Sequence, residues 1–252
     1  MIKFFRKIRQ NLLSEGKTGK YFKYAIGEIL LVVIGILIAL SINNWNDQRK
    51  QKLVETEQLE SIKSELDLGL KNLDFILQKI DLHSNNIDSL IIMMRKSMPN
   101  SFEISGELLG STIMWRTTDV SINTLNAMIA SGTLNQLTNE ELRVKLANLP
   151  AILTDLTEDE LMVREWSENH MVPFLAKIGL VSAAYSNRYG FKEMASRRSP
   201  VADFVNVTPT EEFIGMLTVR RVHFAYTQFQ LPILKNYMED LVQLINNDLK
   251  YK

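Results

Sequence analysis

The residues able to do chemistry are few and scattered. The three histidines, His83, His170 and His223, stand far apart and lack zinc-ligand spacing such as His-Glu-x-x-His. Each is therefore expected to be an ordinary surface or interface residue. The carboxylate runs Glu140-Glu141 and Glu158-Asp159-Glu160 could in principle form an acid–base pair. Each also ends a capping-box spacing, Thr138 to Glu141 and Thr157 to Glu160, so first helical turns, where the helix dipole favours acids, account for them. Ser131-Gly132-Thr133 lies outside any Gly-x-Ser-x-Gly elbow and reads as a helix end with a glycine cap. Gly16-Lys17-Thr18 matches the end of a phosphate-binding loop, yet the pattern needs glycine where the chain has Asn11, and no strand precedes it. Tyr185, Arg188, Tyr189, Lys192, Arg197 and Arg198 form a basic, aromatic stretch. It could touch an anionic envelope polymer or a partner protein, a solvated loop being the plainer reading. The chain has no cysteine, hence no thiol chemistry and no disulfide framework. No catalytic, cofactor-binding or metal-binding residue is assigned, and enzyme activity is not expected.

One carboxylate differs from the rest. Glu28 is the sole ionisable group in the run Tyr24 to Ile42 (YAIGEILLVVIGILIALSI). At ~1.5 Å per residue this run covers roughly 29 Å as a helix, about the hydrocarbon thickness of a bilayer. A backbone in hydrocarbon must satisfy its own hydrogen bonds, so the segment is expected to be one membrane-spanning helix. Ala39-Leu40-Ser41 would suit a signal peptidase, but the preceding basic region is long for a signal peptide, so an uncleaved anchor is favoured. Before the run Lys3, Arg6, Lys7, Arg9, Lys17, Lys20 and Lys23 face a single acid, Glu15, whereas bases and acids balance after it. That asymmetry predicts a cytoplasmic N-terminus and an exported remainder. Tyr21, Phe22 and Tyr24 at one end and Trp45 at the other fit interfacial anchors. Gly35 and Ala39 form a small-xxx-small pair that would let another membrane helix approach, although a lone anchor also carries small residues by chance. Glu28, one turn inside the interface, either snorkels to the headgroups or serves a function.

Residues 1–23 read as a cytoplasmic amphipathic segment, with Ile2, Phe5, Ile8 and Leu12 on one side. Lys3, Arg6, Lys7 and Arg9 are expected to contact lipid headgroups, each gaining on the order of 1 kcal/mol from anionic lipid. The stretches FFRKIRQ (Phe4 to Gln10), YAIGEI (Tyr24 to Ile29) and INNWN (Ile42 to Asn46), with SGTLNQLTNEELR (Ser131 to Arg143) further on, resemble an uncharacterised family of Gram-negative bacterial single-pass membrane proteins, the domain-of-unknown-function family numbered 6090. The resemblance implies a membrane anchor, a helical extracytoplasmic part and no assigned activity.

The elements that must position any site are helices. After a membrane helix over 24–45, residues 46–252 are expected to form an extracytoplasmic helical domain, with a long helix about 46–98 and a bundle about 104–250. Leu59, Ile62, Leu66, Leu70, Leu73, Leu77, Ile80, Ile87, Ile91 and Met94 step by three and four, near the coiled-coil period, with Ser84 the one missed position. Leu68, Phe75, Ile76, Leu82, Leu90 and Ile92 suggest a second apolar side. Packing within the chain is favoured over pairing with another copy. Capping boxes at Thr138, Thr157 and Thr208 predict helices near 107–115, 121–131, 139–149, 151–177 and 209–249, with Pro150, Pro173 and Pro232 breaking or kinking them. Ser186 to Val207 reads as the longest loop, and no sheet is expected. The fold class is all-α: an N-terminal amphipathic helix, one transmembrane helix, a stalk-like helix and an antiparallel bundle.

Composition narrows function little. Formal charge is zero, which gives no sign of nucleic-acid binding. The expected partners are the lipid bilayer and a protein partner or further copies of the chain, without a cofactor, at the bacterial inner membrane with the C-terminal domain periplasmic. Three readings stand: an interaction or scaffold protein, a subunit of a proton-coupled envelope complex using Glu28, or an envelope enzyme whose site sequence does not reveal.

Overall fold

The computed structural model describes residues 18–185 and 204–250. By its internal contacts the chain divides into two units, residues 1–57 and 58–252. The first helix, α1 (Thr18–Ser97), contributes to both. Helix makes up 83% of the structure and strand 4%, so the all-α class holds.

In the first unit the apolar run of α1 is exposed on every side, including Ile29, Leu31, Leu37 and Ile42. Among the described residues α1 is the one helix long and apolar enough, by length and composition, to cross a membrane. Residues 1–17, with the expected amphipathic helix, lie outside the described residues.

In the second unit the apolar stripe of α1 is covered by its own chain. Leu59, Ile62, Leu66, Leu73, Ile80, Ile87 and Met94 are buried, and Ser84, the polar gap in the stripe, is buried with them. The second apolar side divides: Ile76 and Leu90 enter the core, while Leu68, Phe75, Leu82 and Ile92 stay exposed. After α1 come β1 (Phe102–Ser105), α2 (Gly106–Gly110), α3 (Asn123–Ser131), a 3₁₀ turn (Thr133–Gln136), α4 (Glu140–Trp166), a π turn (Ser167–Met171), α5 (Val172–Lys177), α6 (Val181–Ala184), β2 (Phe204–Val207) and α7 (Glu211–Lys250). Three polar rungs tie α1 to α7. Lys235 Nζ donates to Asp74 at 2.6 Å, Gln228 Nε2 to Asp81 at 2.6 Å, and Arg221 Nε to Asp88 at 2.9 Å. Partners advance by seven along α1 as they retreat by seven along α7, so the two helices run antiparallel in heptad register. On its other edge α7 meets α4, also antiparallel, through Gln230 to Asp159 (3.0 Å) and Lys145 to Asp240 (3.4 Å).

Several expectations need correction. The chain has a small sheet: β1 and β2 pair antiparallel, Phe102 opposite Val207 and Ser105 opposite Phe204. Each strand has four residues, too few for alternation to register, and the partner lies about a hundred residues away in sequence. Phe204–Val207, read as loop, is therefore strand; residues 186–203 of that loop lie outside the described residues. Helix α4 runs through Pro150 and α7 through Pro232. The break expected at Pro173 is present, as the π turn before it, where a wider turn accommodates a ring that would clash with an α-helical carbonyl. The capping positions also shift. Asn139 rather than Thr138 caps α4, accepting from the Leu142 N–H; Thr210 rather than Thr208 accepts from the Phe213 N–H; and Thr157 lies inside α4, capping nothing. Tandem polar residues offered two or three equivalent caps, and packing selected among them.

Candidate functional site: a polar layer in the helical core

The residues singled out in the membrane run occupy one helix. Gly35 and Ala39 are one turn apart and exposed, and a Cβ added at Gly27 or Gly35 would meet nothing within 4 Å. Glu28 is half-buried, whereas Phe22 and Trp45 are exposed, and Tyr21 and Tyr24 fall on the same helix. Lys3, Arg6, Lys7 and Arg9 lie outside the described residues.

The bundle gathers polar groups that sequence scatters. Its buried polar and charged residues are Ser84, Ser111, Thr112, Glu160, Ser167 and Arg220, drawn from α1, the segment after α2, α4 with its π turn, and α7. Printed as a sequence, they are unrelated; in the fold, hydrogen bonds tie several of them across elements, and a polar layer forms around Arg220. His83 Nδ1 and Ser111 Oγ are 3.1 Å apart, and Asn86 Nδ2 donates to the same oxygen at 2.9 Å. Ser167 Oγ donates to the Ile113 carbonyl at 3.2 Å. The Thr118 N–H donates to Glu160 Oε1 at 2.8 Å, and the Thr118 hydroxyl bonds the same carboxylate oxygen.

Arg220 lies at the heart of this layer. It is fully buried, its Cζ is 4.2 Å from the centroid of the Phe224 ring, and Phe224 stacks on His83 at 6.3 Å. His223 meets Trp166 edge-on at 5.1 Å, and Trp166 lies 6.1 Å from His170 beside the π turn. The fold thus brings His83 and His223 together across α1 and α7, although nothing in their spacing said so, while His170 stays exposed as expected of a surface residue. None of Arg220 Nε, Nη1 and Nη2 has a hydrogen-bond acceptor, nor have His223 Nδ1 and Ser84 Oγ a partner.

Burial sets the electrostatics here. It pushes the His83 imidazole down to about 4, helped by the positive charges of Arg116, Arg220 and Lys79. His223 is lowered for the same first reason and then by Arg220. Burial lowers Arg220 to about 9, so it stays charged at neutral pH. Glu160 is raised by burial against the opposing Thr118 hydrogen bonds. The layer carries positive charge beneath an aromatic roof.

Arg220 had a sequence signature that histidine spacing lacked. It occupies the core stripe of α7, whose other members are Phe213, Leu217, Phe224, Leu231, Leu234 and Met238. Ser84 is the matching gap in the stripe of α1. Each is a polar interruption of an apolar helical stripe, and that much can be read from the sequence.

The remaining candidates separate. Glu140 and Glu141 occupy the first turn of α4, as expected, while Glu158, Asp159 and Glu160 lie mid-helix. Gly132 caps α3 with φ +76°, the left-handed conformation that favours glycine. Tyr185 packs half-buried against the core, and Arg188, Tyr189, Lys192, Arg197 and Arg198 lie outside the described residues. Among the described residues no group of three or more His, Asp or Glu could hold a metal ion.

The surface of α7 opposite the core has its own pattern. Val219, Val222, Tyr226, Phe229 and Ile233 step by three and four and are 41%, 60%, 44%, 69% and 55% exposed. Gly215, Thr218, Ala225, Pro232 and Asn236 complete the exposed residues from 215 to 236, none of them charged.

The sequence model of DUF6090, a family of unknown function, matches residues 28–154, half of the chain. No curated protein and no solved structure matches.

Proposed function

The chain belongs to the DUF6090 family, and we propose that it is a membrane-anchored helical interaction protein whose bundle pairs copy to copy through the outward face of α7. The reading is of a protein that binds rather than transforms. It places the anchor in the bacterial inner membrane, the N-terminus in the cytoplasm and the bundle in the periplasm, on the charge asymmetry around the apolar run.

The observation that carries it is the uncharged, exposed stripe from Val219 to Ile233. A one-sided apolar stripe of about half-exposed side chains amounts to on the order of 500 Å², the size at which a contiguous patch marks an interaction site. The heptad step is what a facing helix requires. Charge argues for a second copy: identical faces can meet without like charges in opposition from Gly215 to Asn236. Anchoring supports it further, because copies held in one membrane meet at raised effective concentration.

A photo-crosslinking residue at position 229, in cells expressing the full chain, tests this. The expected product has twice the mass of the chain, and it is lost in Val222→Glu. The same probe at Glu212, off the stripe, should give none. No product at 229, or a product of another mass, would overturn the self-pairing. Activity of a periplasm-dependent reporter fused after Lys252 tests the orientation.

A further inference from the structure

Arg220 is fully buried, with three nitrogens lacking acceptors, and three residues along the same helix His223 Nδ1 lacks a partner too. A guanidinium carries five N–H donors and can accept nothing, and burial removes the water that would otherwise take them. The Phe224 ring 4.2 Å away compensates part of the charge through its face but offers no acceptor. Glu160, the one buried acid among the described residues, is engaged by the backbone N–H and hydroxyl of Thr118. What the site holds in excess is therefore donors and positive charge. What would complement it is a compact group made of acceptors and negative charge.

We propose that the polar layer is a binding site for a small oxyanion, a carboxylate or inorganic phosphate, held by the Arg220 fork with His223 as a further donor. Planar, bidentate recognition is the geometry in which arginine and an oxyanion bond most strongly. The π turn Ser167–Met171 begins directly after Trp166, which meets His223 edge-on. Such turns are retained where function repays their irregularity, and a wider turn loosens the wall through which a small anion would enter. The site is separate from the outward face of α7, which lies on the opposite side of that helix, so it stands whether or not copies pair.

Thermal melts of the detergent-solubilised full chain, titrated with acetate or inorganic phosphate against chloride at constant ionic strength, test it. In the wild type one of the two anions should raise the melting temperature by several degrees and saturate in the millimolar range; which one does so distinguishes carboxylate from phosphate. Arg220→Met should lose the response while melting, without anion, at or above the wild type, because it removes an unpaired charge and keeps the volume. Arg220→Lys keeps the charge without the fork and should weaken the half-saturating concentration at least tenfold, which serves if the methionine variant fails to fold. Absence of a saturable shift with either anion in the wild type, or an equal shift in Arg220→Lys, would overturn the site.

Discussion

Two levels of one helical bundle use the same helices, α1, α4 and α7, and bury different things. By the register of the polar rungs, Leu66 and Leu73 on α1 lie near the level of Leu241 and Leu234 on α7, and each of the four is buried. About three to four turns along, α1 and α7 present Ser84 and Arg220, with His83 and His223 beside them. The leucine level explains itself, since burying such side chains is what stabilises a small domain. The polar level works against stability, because a buried cation without an acceptor is destabilising relative to an apolar side chain of similar volume. A fold that already closes its core elsewhere retains this layer for something other than closure.

The largest expected effect breaks the leucine level. Leu66→Ala leaves a cavity among fully buried neighbours and should destabilise the chain by about 3 kcal/mol, as should Leu241→Ala. Denaturant melts measure it. If either variant lost less than Arg220→Met, the two levels would not differ in the way described.

Much of this contrast was legible in sequence, and the reason it was only partly so is instructive. The stripe of α1 announced the apolar level because leucines at three- and four-residue steps carry the helical period. The chain-internal packing of that stripe followed from there being enough later helices to cover it. The polar layer showed only as gaps in two stripes, because its members are distant in sequence and ordinary in type: a serine, two separated histidines, and one arginine next to another. The sheet escaped for a related reason, since β1 and β2 pair across about a hundred residues of sequence. Pro150 and Pro232 misled in the opposite sense, because tertiary packing held two long helices through residues whose local preference is to end them.

Acid sharpens the comparison at a smaller magnitude. The His83 ring, at about 4 in the folded chain, titrates near 6.5 when unfolded. Its neutral form therefore contributes stability that is fully present above 6.5 and is lost as pH falls from there toward 4, and His223 acts in the same direction. Glu160 acts oppositely: its raised value means the folded chain takes up that proton sooner, so falling pH favours the fold at this one group. The melting temperature should drop between pH 7 and pH 4.5. His83→Asn should reduce the drop by on the order of 1 kcal/mol after allowance for solvent screening, and Glu160→Gln should enlarge it. The leucine level has nothing to titrate, so Leu66→Ala should melt lower at both pH values by the same amount.

The smallest effect comes from the neighbour of the buried arginine. Arg221 follows Arg220 directly, yet one helical step carries it from the core to the edge of α7, where its Nε donates to both oxygens of Asp88, at 2.9 and 3.0 Å. Both partners of this rung are about one-third to one-half exposed. Water and salt therefore compete for the charges, and the pair is worth about 0.5 kcal/mol. Arg221→Met should lower stability by roughly that amount, less at high ionic strength, and in a double-mutant cycle with Asp88→Asn the coupling should disappear as salt is raised. Arg220→Met, one residue away and free of anion, should move stability the other way or not at all. The sign follows from solvation: at the edge an arginine has a carboxylate and water for its donors, and in the layer it has neither, so removing the charge relieves a penalty rather than breaking a bond. Equal losses from the two substitutions would mean that Arg220 is paired after all, and the contrast between the two levels of the core would fall with that result.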